Sequence, residues 1–210
     1  MPLITTTQLS TRLPNYSGTS LDGLHGKLID RADSLMAHFC GYPLADGAVR
    51  PSMLSSTYTR YLDGPRRTED RALDIGIRPL VSVTSVHQDE DWDYAASDLI
   101  DSGDYVVDTE EGVVWLRPNT SHVFGRSPRR FKAIVVAGFA ALDDAHPLVE
   151  LTALAVRALI DTGRSQSTAS VSGGRGSVSF VEQSTVLPRI VRAELAPYVL
   201  GASRATGGAS

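Results

Sequence analysis

The sequence predicts an α+β fold: a helical core of about three main helices, with an antiparallel β region inserted between the first and second helices. Three observations lead there. Apolar residues recur at three- and four-residue spacing from Leu21 to Cys40, the period falls to two between about Met53 and Gly138, and helical spacing returns from Pro147. A chain of 210 residues with 42% hydrophobic composition is also long enough to close a core without metal or crosslink. The expected organisation is an N-terminal arm at 1–19, one domain at 20–200 with the β insertion at 53–138 and a flexible loop at 163–179, and a flexible tail at 201–210.

Residues 1–19 are rich in Thr and Ser, include Pro14 and show no clear period. In the first helix Ser20 is the expected N-cap, Leu21, Leu24, Leu28, Ala32, Leu35 and Phe39 form one apolar stripe, and Gly41 with Pro43 supplies the stop. Leu73, Ile75 and Ile77 alternate with Asp74, Gly76 and Arg78, and Val81 and Val83 with Ser82 and Thr84, the pattern of half-buried strands. Tyr105–Asp108 and Val113–Leu116 flank Thr109-Glu110-Glu111-Gly112, a hairpin-length connection with glycine where positive φ is wanted. A further strand runs from Phe131 to Ala137 and ends at Gly138.

The second helix, Pro147 to Asp161, has Asp143 or Asp144 as cap candidates and proline in its first turn. Its charges Glu150, Arg157 and Asp161 keep to one narrow face, while Val149, Leu151, Leu154, Val156, Leu159 and Ile160 occupy most of the circumference. A helix apolar nearly all round is central, or shared between subunits. The stretch 163–179 holds six Ser and four Gly without an aromatic or an acid, too little apolar surface to offset its ordering entropy. A short strand at Val178–Val181 and a helix at Pro188–Ala196, ended or kinked by Pro197, complete the pattern.

A formal net charge of -4 and a pI of about 5.7 argue against a surface built as a whole for nucleic acid. The charge is unevenly placed. Ten acidic and no basic residues lie between Asp89 and Glu111, and Arg117, Arg126, Arg129, Arg130 and Lys132 follow without an acid among them. Such a run reads as a solvated loop tip, or as head-to-tail complementarity. In the second reading Asp89, Asp91 and Asp93 of one subunit meet Arg126, Arg129 and Arg130 of its neighbour.

Asp89-Glu90-Asp91-Trp92-Asp93 begins like a calcium loop, but Tyr94 stands where the tight-turn glycine belongs and Ile100 where the bidentate Glu belongs. The five histidines have no paired ligand spacing, and one cysteine completes no zinc set. No G-x-S-x-G string occurs, and Ser172-Gly173-Gly174-Arg175-Gly176 lacks the P-loop spacing and lysine. No metal, cofactor or catalytic residue is therefore expected. Cys40, near His38, reads as a buried small hydrophobe. Tyr58, Tyr61, Trp92, Tyr94 and Trp115 do not interleave with basic residues along the chain and read as core and interface packing. An enzyme would need residues distant in sequence, such as Asp63, Asp74 and His87, and a DNA-binding module would use Arg126, Arg129 and Arg130. No run approaches the roughly 18 apolar residues of a membrane span, and the start lacks the basic and apolar regions of a signal peptide.

Several strings, taken in order, resemble the head-tail connector, or adaptor, proteins of long-tailed phages and gene transfer agents. They are Leu28-Ile29-Asp30-Arg31-Ala32-Asp33 with Phe39-Cys40-Gly41-Tyr42-Pro43, Tyr58-Thr59-Arg60-Tyr61-Leu62-Asp63-Gly64, and Ile77-Arg78-Pro79-Leu80-Val81-Ser82-Val83-Thr84-Ser85-Val86. Val135-Val136-Ala137-Gly138-Phe139, His146-Pro147, Gly176-Ser177-Val178-Ser179-Phe180 and Leu195-Ala196-Pro197-Tyr198 follow, spanning residues 20 to 200, while the stretches before and after match nothing in the family. The resemblance implies a non-enzymatic virion protein of the phage neck, made in the host cytoplasm and free of membrane contact. Its copies would form a homo-oligomeric, dodecameric ring, joined to the portal protein and to a tail-completion or stopper protein. DNA would pass through the lumen without sequence-specific binding. Val178, Phe180, Ile190, Val191 and Leu195 would dock on the portal or a neighbouring subunit. The alternatives are another virion assembly protein of the neck or tail, or a small soluble enzyme.

Overall fold

The computed structural model describes residues 3–16, 22–64, 71–120, 124–125, 129–169 and 187–200. The fold is mixed α+β, with two compact units: a helical one formed by Met1–Gly41 and Ala141–Val199, and a β unit centred on Tyr42–Ala140. Among the described residues there are four α-helices where about three were expected, and the strands fall between the second and third helices, not the first and second. The additional helix accounts for both differences.

That helix, α1 (Thr6–Arg12), lies in the stretch read as an arm without a period. Thr5 and Gln8 form a capping box: the Thr5 hydroxyl accepts from Gln8 N at 3.1 Å, and Thr5 N donates to Gln8 Oε1 at 2.8 Å. Leu3, Ile4, Leu9 and Leu13 are buried around it. Gln8 Nε2 also donates to Leu142 O at 3.1 Å and Asp144 Oδ1 at 2.9 Å, which ties the short helix to the entry of the third.

Helix α2 (Asp22–Cys40) ends as expected at Gly41, whose φ of 81° is the left-handed closure that glycine adopts freely. Its buried face is His25, Ile29, Ala32, Asp33, Met36, Ala37 and Cys40. The expected stripe is therefore rotated by about one residue, or some 100° of arc. Leu28 and Leu35 sit half-buried at the margin and Phe39 is exposed. Apolar residues occupy both stripes, and the one carrying Ala32, Ala37 and Cys40 lets a neighbouring helix approach more closely. Ser20 and Leu21, the expected helix start, lie outside the described residues.

Helix α3 (Pro147–Ala169) packs against α2, and α1 and α4 (Arg189–Glu194) pack against α3. Leu148, Val149, Leu151, Thr152, Ala153, Ala155, Val156 and Ile160 are buried, whereas Leu154 and Leu159 are half-buried. The helix is thus covered on most sides, as its composition requires. Thr152 satisfies its hydroxyl by donating to Leu148 O at 2.6 Å. The cap is His146 and neither aspartate: Leu148 N donates to His146 Nδ1 at 3.2 Å, while Asp143 closes the preceding turn by accepting from Ala145 N. The helical backbone continues past the expected end at Asp161 into the stretch read as flexible from 163. After α4 a 3-10 turn at Ala196–Tyr198 takes over, where Pro197 stops the α-helix.

Among its described residues the β unit holds two three-stranded antiparallel sheets in place of one continuous region. The first has β6 (Phe131–Ala137) between β1 (Ser56–Leu62) and β3 (Leu80–Gln88); the second has β5 (Val113–Leu116) between β2 (Ala72–Asp74) and β4 (Tyr105–Asp108). Along β6 the alternation is strict, with Phe131, Ala133, Val135 and Ala137 buried. In β3 it breaks: register shifts between Leu80 and Ser82 and between Val83 and Ser85 turn Val81 out to solvent. The outer edge of β1 is closed by Asp46, whose N donates to Thr57 O at 2.9 Å and whose carboxylate accepts from Thr59 N at 3.0 Å and Thr59 Oγ1 at 2.7 Å.

Two glycines are fixed by space as well as torsion. Gly112, with φ of 70°, closes the β4–β5 hairpin by donating to Asp108 O at 3.0 Å, and a Cβ there would stand 2.6 Å from Ile77 O. Gly138, with φ of 108°, ends β6 where a Cβ would stand 2.6 Å from Leu54 O. Ile75 and Ile77 are buried but lie beyond β2, which stops at Asp74.

Candidate functional site

At one end of the first sheet the pairing sets Tyr61 of β1 opposite Lys132 of β6, and β3 adds His87 to the same row. Directly opposed residues share a face of a sheet. The acidic loop that follows β3 turns back on itself. Asp89 Oδ1 accepts from Asp91 N at 2.8 Å, and Oδ2 accepts from Asp93 N at 2.7 Å and Tyr94 N at 2.8 Å. These bonds, those from Asp91 and Tyr94 foremost, hold the Asp89 carboxyl down at about 2. They also accompany two left-handed residues, Trp92 at φ 65° and Tyr94 at φ 51°.

Folding the loop this way brings the acidic and basic segments of one chain together. Asp89 N donates to Arg130 O at 2.9 Å, Glu90 pairs with the Arg130 guanidinium, and the Tyr94 hydroxyl donates to Arg129 O. Arg129 N in turn donates to Asp63 Oδ1 at 2.8 Å. The Arg129 guanidinium stands 5.1 Å over the Tyr61 ring, the Tyr61 and Tyr94 centroids are 5.5 Å apart, and Lys132 Nζ is 5.7 Å from the Tyr94 centroid. Aromatic and basic residues that do not interleave along the chain therefore interleave in space. The signal that could have found them is the strand register.

The carboxylates of Asp89, Asp93 and Asp98 lie within 4.8 Å of one another. Asp98 joins this group and Asp91 does not, so positions one, three and five of the calcium-like string do not converge. Asp89 is already engaged by three backbone N–H groups. The Asp93 carboxyl is raised, chiefly by its side-chain hydrogen bond with Asp89.

The second sheet carries a different surface. Val106, Trp115 and Ala72 are paired across β4, β5 and β2, and Val106 and Trp115 are each 48% exposed. The next row on that face is Asp108, Val113 and Asp74, and the hairpin tip beyond it bears Glu110 and Glu111. Asp108 Oδ1 accepts from Glu110 N at 3.2 Å and Glu111 N at 2.9 Å, which sets the tip in place.

In the helical unit, Val191 and Leu195 are fully buried and anchor α4, while Ile190 is 62% exposed with Arg189 and Arg192 exposed beside it. Of the five residues expected to dock, Ile190 alone is on the described surface. Val191 and Leu195 belong to the core, and Val178 and Phe180, like Arg126, lie outside the described residues. Cys40 is buried, and desolvation pushes its thiol up to about 12, as befits a small hydrophobe.

The three residues weighed for an enzyme have local work. Asp63 accepts from Arg129 N, Asp74 Oδ1 accepts from Gly76 N at 2.8 Å, and His87 Nδ1 is 3.2 Å from Ala95 O. No helix among the described residues is long and apolar enough to cross a membrane.

No protein-family model matches the chain, and no curated protein matches it. Among solved structures it is similar to a chain from the neck of an empty gene transfer agent (GTA) particle computed with C6 symmetry. The TM-score is 0.50 at 14% identity, over 93% of this chain and 88% of that one. It is also similar to a chain from the virion of a native gene transfer agent particle, with a TM-score of 0.46 at 13% identity, over 88% of this chain and 86% of that one. At such identities the likeness is one of fold.

Proposed function

We propose that the chain is a structural protein of the neck of a tailed, phage-like particle. Copies of it form a dodecameric ring, joined to the portal protein on one side and to a tail-completion or stopper protein on the other, with DNA passing through the lumen. The observation that carries this reading is the likeness to a gene transfer agent neck chain over 93% of the sequence. The ordered strings from Leu28 to Tyr198 that resemble connector proteins support the same reading, and a twelve-membered ring contains the sixfold axis with which that neck was computed. A non-enzymatic role accords with Asp63, Asp74 and His87 each being engaged in local structure.

Deleting the gene from a particle-producing strain tests it. The expected result is DNA-filled heads without attached tails, restored by the intact gene, with antibody to the chain labelling the head-tail junction. Normally tailed particles from the deletion strain, or absence of the chain from purified particles, would overturn the reading.

A further inference from the structure

The loop that follows β3 holds a tryptophan out to solvent on a backbone that tryptophan disfavours. Trp92 is 61% exposed, and among the described residues its ring meets neither another aromatic ring nor a cation. Its φ of 65° is left-handed, which a bulky residue adopts only where its surroundings impose it. The Asp89 carboxylate imposes it here, accepting from the backbone N of Asp91 on one side of the tryptophan and of Asp93 and Tyr94 on the other. Glycine or asparagine would close the same turn with less strain, so turn formation does not account for the indole.

The side chains around it have one sign. Glu90, Asp91 and Asp93 are exposed; Glu90 is paired with Arg130, whereas the Asp91 carboxylate has no hydrogen bond or ion pair among the described residues. The cations of the adjoining cluster are placed on other groups, Arg129 over the Tyr61 ring and Lys132 over that of Tyr94.

We propose that Trp92 is the anchor by which this chain docks on a different protein of the particle, one that presents an apolar cleft bordered by Lys or Arg. A large aromatic side chain on a fixed backbone loses little freedom when it is buried, and tryptophan is a residue on which interfaces concentrate binding energy. Cations at the rim of the cleft meet Asp91 and Asp93, acids that would repel a nucleic acid. A second copy is the poorer acceptor, since its own Arg130, Arg129 and Lys132 are engaged in the same way. This docking rests on the neck reading of the preceding section and names the chemistry of one contact within it.

Trp92→Gly tests it, because glycine suits the left-handed backbone and removes the indole. The expected result is a melting temperature equal to or above that of the wild type, with incorporation into particles reduced at least about tenfold. Trp92→Asn, which tolerates the same backbone, should behave alike, and Asp91→Lys should also lower incorporation. Val49→Ser, at a 95% exposed apolar side chain of another loop, should leave incorporation unchanged. A photocrosslinking amino acid at position 92, activated in assembled particles, should join one other protein at a segment where Lys or Arg flanks an apolar residue.

Wild-type incorporation of Trp92→Gly and Trp92→Asn would overturn the proposal, and so would a crosslink to a second copy. Lowered melting of both variants together with lost incorporation would make the tryptophan a structural residue and overturn it as well. Absence of the wild-type chain from particles would defeat the neck reading itself and the docking with it.

Discussion

In the helical unit, the residues that decide the fold are side chains hidden along α2 and α3, among them Ile29, Met36, Leu148 and Val156. In the β unit much of the same work falls to the backbone: left-handed glycines at 112 and 138, and strand registers that set Tyr61 against Lys132 and Trp115 against Val106. Their surfaces differ accordingly. The helical unit exposes Phe39 and Ile190, whereas the β unit exposes Val81, Trp92, Val106 and Trp115 among others. Apolar content thus means core in the first unit, while in the second a good part of it is surface available for contact.

The largest expected effect lies in the β core. Phe131 is fully buried and meets Phe124 edge-on at 5.2 Å, so Phe131→Ala should cost about 3 to 5 kcal/mol in chemical denaturation. A similar contrast exists within α3. Leu148→Ala should cost about 2 to 5 kcal/mol and Leu154→Ala clearly less, since only the first is fully buried. Equal costs would contradict the facing of this helix.

Glycine to alanine should then have opposite signs in the two units. At Gly138 the new Cβ meets the Leu54 carbonyl at a left-handed φ, and a loss of about 1 to 3 kcal/mol is expected. At Gly26 of α2 nothing lies within 4 Å of the new atom, and a gain of up to about 1 kcal/mol is expected from helix propensity. Thermal melts of both variants provide the measurement. A smaller effect belongs to the α3 cap: His146→Ala removes the acceptor for Leu148 N and should cost about 0.5 to 2 kcal/mol.

The finest effect is one of pH. Asp89 titrates at about 2 in the folded chain against an ordinary 3.8, so its contribution is complete above the ordinary value and drains away as pH falls through 2. Asp93 is shifted upward and works in the opposite sense, opposing the loop as it ionises. Hydrogen exchange at the amides of Asp91, Asp93 and Tyr94 should therefore stay slow at pH 5 relative to unstructured amides, and lose that protection between about pH 4 and pH 2. Protection unchanged across that range would show that the carboxylate is not what holds the loop.

Local chemistry explains which parts of this molecule can be read from its residues. The β4–β5 hairpin with Gly112, the strand from Phe131 with its stop at Gly138, and the end of α2 at Gly41 each depend on neighbours in sequence, and each is where the periodicity places it. Helix α1 was hidden because its stabilisation comes from a capping box and from Leu9 packing, with too few turns for a period. The facing of α2 was ambiguous because Leu28 and Leu35 compete with Ile29 and Met36, and only packing against α3 decides between them. The Arg129–Tyr61–Tyr94–Lys132 cluster is assembled by register across three strands, which composition does not encode. The acidic and basic segments were legible as a pair, whereas the contact between them through Glu90 and Arg130 lies within one chain.

Asp46 bears on how the first sheet meets other chains. A bare sheet edge is a template on which another chain's strand can grow. By occupying Thr57 O, Thr59 N and the Thr59 hydroxyl, one aspartate takes up two of the backbone rungs in the middle of β1 that a foreign strand would use. At Thr57 and Thr59 an incoming strand meets groups that are already bonded.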